Sequence, residues 1–217
     1  MKIRKLQLIL VSAVAIAEPV LSRPVADAPQ RPQPTIKLRV VNEARADRRT
    51  LDKSHEEAAE ILSRAGIRLM WLECSSGGGD FASENPCQKD SGAAEFWMRI
   101  TANQPSRTTK GVLGYSELGG DGPSNSGGVF YPAIQELADS FHLRSGEILG
   151  AAMVHEVGHL ILGADAHSQT GIMFPHWGRE QFILISVGHL HFAPQQAKLL
   201  QREVSRRMPA GALETRR

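Results

Sequence analysis

His155 and His159 lie four residues apart, with Glu156 directly after the first. On a helix, residues at that spacing share one face, one turn apart. Two imidazoles so placed can each bring a ring nitrogen to about 2.0–2.1 Å from one Zn²⁺. Glu156 then sits at the helix edge beside the metal, where a carboxylate can take a proton from activated water. Between residues 148 and 164 these three are the only ionisable side chains; the rest are Ile, Leu, Val, Met, Ala and Gly. A helix that is apolar all round is buried. Buried imidazoles and a buried carboxylate are costly unless they are paired or bind a metal. Gly163 is expected to end the helix in a left-handed turn. The reversed chain can return either His167 or Asp165 to the metal, and His167 is preferred. Three protein ligands with one open position is the arrangement of catalytic zinc.

The run His155-Glu156-Val157-Gly158-His159, a glycine turn, His167-Ser168 and then Ile172-Met173-Phe174-Pro175 resembles the metzincin zinc peptidases. The matrix-metalloprotease-like group is the nearest. The family form is HExxHxxGxxH. Here Gly163 falls one place late and His167 two places late, and Asp165 occupies the position of the family's third ligand. The order of elements fits the family from about residue 36 to 205, but only residues 155–175 carry specific motifs. The resemblance implies a zincin-like α+β fold and Zn²⁺ held by His155, His159 and His167. It also implies Glu156 as general base and Met173 as a hydrophobic floor under the metal. The implied activity is endopeptidase, with an extended peptide or protein substrate added to a sheet edge. Tyr115, Tyr131 and His176 are the available oxyanion donors, and none is assigned.

The elements that must position these groups read as follows. Residues 36–41 alternate and are β-branched, a strand. Residues 51–65 carry Ala58, Ile61, Leu62 and Ala65 at helical spacing, with Gly66 as a stop and Thr50 or Asp52 as a cap. Residues 67–72 form a second strand, so strand, helix and strand suggest a parallel pair with a helical crossover. Residues 95–100 are a third strand. Residues 111–118 and 127–131 are short strands around a glycine-rich loop, which lacks the Lys-Ser/Thr of a phosphate cradle. Residues 133–141 form a short helix, and Ser145 is expected to cap the helix of the site. Residues 181–187 are an apolar run of undecided form. Pro194 opens a last helix over about 195–206, with Ala197, Leu200 and Val204 on one face. The expected architecture is a twisted mixed sheet of about five strands. A crossover helix, a buried active-site helix and a C-terminal helix accompany it. His55, His142, His189 and His191 read as structural or surface residues.

The 217 residues suffice for one domain with a real core. A net charge of +2 points away from nucleic acid. Lys2, Arg4 and Lys5 precede an apolar run over 6–17 that ends Ala15-Ile16-Ala17, the pattern of a secretory signal peptide. The run is too short for a standard membrane span, so no stable membrane insertion is expected. Cleavage after Ala17 would leave a net charge near −1, because three of the 25 basic residues go and all 23 acidic ones stay. Residues 18–34 hold five prolines, a linker or short pro-segment. That segment has no cysteine, so the cysteine that keeps matrix-metalloprotease precursors inactive has no counterpart there. The catalytic domain is expected over 35–207, followed by a basic tail, 208–217. Cys74 and Cys87 are expected to form a disulfide, which fits a secreted or periplasmic location. The alternatives are a secreted, zinc-stabilised binding module without activity, or a zinc hydrolase of non-peptide amides. An intact Glu156 speaks against the first, because a purely structural site has no use for it.

Overall fold

The computed structural model describes residues 33–74, 87, 92–104, 111–117 and 125–208. The segment read as a signal peptide, most of the proline-rich segment, most of the glycine-rich loop and the basic tail from residue 209 lie outside them.

The fold is α+β, built on one five-stranded sheet of order β2-β1-β3-β5-β4. Strand β1 (Thr35–Asn42) places Ile36, Leu38 and Val40 on the core face, each essentially inaccessible to solvent. Helix α1 (Arg48–Arg64) crosses over, and β2 (Arg68–Cys74) returns parallel to β1, as the strand-helix-strand pattern suggests. β3 (Glu95–Thr101) pairs parallel on the other side of β1, and β5 (Ser126–Phe130) pairs parallel with β3. β4 (Gly114–Ser116) is antiparallel to β5 and forms one edge. Cys74, at the end of β2, is joined to Cys87 by a disulfide with Cα atoms 5.8 Å apart. A bridge closing a loop of this size stabilises by about 3 kcal/mol.

Some boundaries differ from those expected. α1 starts earlier because Asp47 is its cap: its carboxylate accepts from the Thr50 amide at 2.9 Å. Neither Thr50 nor Asp52 does this. β4 is only three residues long, since its pairing with β5 runs no further than Gly114↔Val129 to Ser116↔Gly127. Tyr131, read as the end of a strand, instead begins α2 (Tyr131–Phe141), with Pro132 in the first turn, where no amide donor is needed. The undecided run is a helix, α4 (Arg179–Ser186), and Phe182 on it stacks on Phe141 of α2 at 4.3 Å.

Helix α3 (Ser145–Leu162) runs through the interior, packed on α1, α2, α4, α5 and the β4–β5 edge. Ser145 is its first residue, not its cap. Arg144 precedes it, and the Glu147 carboxylate accepts from the Arg144 amide at 3.4 Å. At the other end Arg207 of α5 (Pro194–Arg207) donates to the carbonyls of Leu160 and Ile161. A guanidinium there satisfies carbonyls the helix leaves open and opposes its negative end. No helix among the described residues is long and apolar enough to cross a membrane.

Candidate metal centre

His155, Glu156 and His159 project from the C-terminal half of α3, with His159 in its last turn. Glu156 and His159 are buried, and His155 is half-buried at the cleft. The helix stops at Gly163, whose φ of 97° is open to glycine at little cost. Its ψ of −177° is extended, so this is a sharp exit and not the left-handed helical turn expected. The chain reverses and is pinned on the way back. Gln196 of α5 donates to the Ala166 carbonyl at 2.6 Å, and the Ser168 amide donates to the Met173 carbonyl at 2.9 Å. Between those two ties stands His167.

His167 joins the helix pair. Its Nε2 lies 3.2 Å from Nε2 of His159, which lies 3.2 Å from Nε2 of His155. Asp165 is exposed and is not part of this group. His155 Nδ1 donates to the Ile172 carbonyl at 2.7 Å, and His159 Nδ1 donates to the Gly163 carbonyl at 3.1 Å. A carbonyl only accepts, so each Nδ1 carries the proton. In a neutral ring Nε2 then presents a lone pair. Burial pushes the His155 pKa down to about 4, so that ring is neutral at neutral pH. Lone pairs facing one another are repulsive until a cation stands among them. Around a tetrahedral zinc ion, neighbouring nitrogens sit about 3.3 Å apart. The observed spacings fit that donor set, and together the three histidines could hold a metal ion.

Glu156 lines the same cleft. Its Oε2 accepts from the Ser116 hydroxyl at 2.8 Å. Burial raises its pKa to about 7, opposed by the Ser116 hydrogen bond. Gly114, two residues earlier on β4, makes room: a Cβ there would lie 2.7 Å from Glu156 Oε1. The histidines and Glu156 floor an open cleft of about 600 Å³, walled by Val112, Leu113, Gly114 and Ser116 on one side and Pro175, His176 and Trp177 on the other.

Met173 is fully buried under α3. A Cβ at Gly158 would stand 2.5 Å from Met173 Sδ and 3.3 Å from the Phe192 ring. Gly158→Ala should therefore destabilise the protein by about 1–3 kcal/mol through overpacking. Chemical denaturation reads this directly; an unchanged midpoint would mean that Met173 has room to move.

Of the three unassigned donors, only His176 lines the cleft. Tyr115 alternates to the other face of β4 and packs on Phe130 at 5.7 Å, while Tyr131 is buried at the start of α2. Of the residues read as bland, His55 is exposed and stacks on Trp71 at 5.0 Å. Three cleft residues carried no signal in the sequence: Gly114, Ser116 and Trp177. The Trp177 indole donates to the Ile172 carbonyl at 3.1 Å, the same oxygen that orients His155.

No family model matches the chain, and no curated protein matches its sequence. Among solved structures it is similar to archaemetzincin from Methanopyrus kandleri, at 16% identity and a TM-score of 0.48, over 79% of this chain and 96% of that one. It is similar to metalloproteinase-II from Bacteroides fragilis at 12% identity and a TM-score of 0.49, over 82% of this chain and 55% of that one. A zinc-dependent peptidase from Methanocorpusculum labreanum matches at 14% identity and a TM-score of 0.49, over 75% and 99%.

Proposed function

We propose that this chain is an exported zinc endopeptidase of the metzincin type, with motifs nearest to the matrix-metalloprotease-like group. The observation that carries the proposal is the meeting of three Nε2 atoms and one buried carboxylate on the floor of an open cleft. His155, His159 and His167 hold the metal. The Ile172 and Gly163 carbonyls keep the two helix rings in the binding tautomer. Bound zinc would supply Lewis acidity, making water a nucleophile at neutral pH and polarising a carbonyl.

Glu156 accepts the proton of the attacking water at a carboxylate oxygen and passes it to the leaving amine. Burial raises its proton affinity above the usual carboxylate range. A cation beside it would pull that affinity down and keep the resting group a base. The exposed edge of β4 offers backbone groups to an extended peptide, which would add as a further strand. Met173 forms an apolar floor and is not a ligand. Export is supported by the N-terminal basic-apolar-small pattern and by the Cys74–Cys87 bridge. The partner is a peptide or protein substrate, with no role for nucleic acid.

Purified mature protein incubated with a mixed peptide library, with and without a chelator, tests this reading. Internal cleavage that the chelator abolishes and zinc restores is the expected outcome. Cleavage that survives complete metal removal would refute it, and so would an absence of cleavage with zinc fully bound.

A further inference from the structure

We infer that Ser116 is the positioning residue of Glu156, holding its carboxylate in one place. The inference rests on Glu156 being the base of the proposed reaction. Ser116 Oγ lies 2.8 Å from Glu156 Oε2 and 2.9 Å from the backbone carbonyl oxygen of Glu156. A hydroxyl has one proton to give and two lone pairs to receive. The Ser116 hydroxyl is within hydrogen-bond reach of both the side-chain carboxylate and the backbone carbonyl of the same residue, so one side chain ties Glu156 at both places. Among the described residues no other side chain donates to Glu156.

Ser116 is well placed for this task. It sits on a strand and not a loop, opposite Gly127 of β5, and the next amide, of Glu117, donates to the Ser126 carbonyl at 2.9 Å. Gly114 on the same strand face leaves the space that the other carboxylate oxygen fills. One edge strand thus supplies both a hydrogen bond and a recess. A general base must lie within hydrogen-bond reach of the proton it takes, and a carboxylate free to turn spends part of its time out of reach. The hydrogen bond is charge-assisted when Glu156 is ionised.

The test compares Ser116→Thr with Ser116→Val. The two side chains have the same shape, both suit a strand, and only Thr keeps the hydroxyl. Zinc content, kcat and KM for a reporter peptide, and crystal structures of the metal-free proteins are measured for each. With full zinc content, Val should lower kcat by about tenfold to a hundredfold with KM nearly unchanged, and Thr should restore most of it. In the crystals, wild type and Thr should show one Glu156 conformer bonded to the hydroxyl, and Val should show a displaced or divided one. Equal kcat for Thr and Val, a loss confined to KM, or an unmoved Glu156 in the Val variant would each overturn the inference. If wild type with bound zinc cleaves no peptide, the proposed function falls. The Glu156 conformer still decides whether Ser116 holds it.

Discussion

Glu156→Gln is expected to keep its zinc and lose peptide hydrolysis. The substitution preserves shape and can still hydrogen-bond Ser116, but an amide cannot take a proton from water. The ligand nitrogens belong to other residues, and their orienting carbonyls belong to Ile172 and Gly163. Metal content should therefore stay at the wild-type level. General base catalysis is worth about 10²–10⁴-fold, and kcat should fall by at least that much. Elemental analysis and kcat on one reporter peptide, measured on the same preparation, separate the two effects. A metal-replete variant that cleaves as fast as wild type would remove Glu156 from the reaction. Loss of zinc together with activity would instead make it a ligand.

The second large effect concerns the third ligand. His167→Ala should weaken zinc binding by orders of magnitude, because three protein ligands become two and the remaining pair lies on one helix. Asp165→Ala should leave affinity unchanged. Asp165 occupies the place where the family form has its third ligand, yet here it faces solvent. The two extra residues in the turn carry the chain past it, and the ties at Ala166 and Ser168 present His167 instead. Competition with a chromogenic chelator gives both affinities on one scale. Loss of zinc in the Asp165 variant alone would exchange the two roles.

The centre of this site was legible because its signal is local. Two histidines at helical spacing in an otherwise apolar stretch are a physical contradiction that a metal resolves, and His167 lies eight residues from His159. The strand-helix-strand start was legible for the same reason: periodicity and a glycine stop sit within one short window. What the sequence did not reveal depends on pairing between distant segments. Ser116 lies 40 residues from Glu156, and nothing about a lone serine in a weak strand marks it as a partner. The order β2-β1-β3-β5-β4 places β4 beside α3, and that order is decided by packing. A helix cap is hard to read from sequence where a better competitor stands nearby. Asp47 accepts from both the amide and the hydroxyl of Thr50, so Thr50 is the capped residue and not the cap. Trp177 carries no mark in the sequence because its link to His155 runs through a backbone oxygen, that of Ile172.

The most direct measurement is anomalous X-ray diffraction at the zinc absorption edge, on crystals of the full-length mature chain grown with zinc. One peak should stand among Nε2 of His155, His159 and His167, at about 2.0–2.1 Å from each. It should disappear after soaking in a chelator. No peak there at saturating zinc, or a peak held by Asp165 with His167 turned away, would contradict the account.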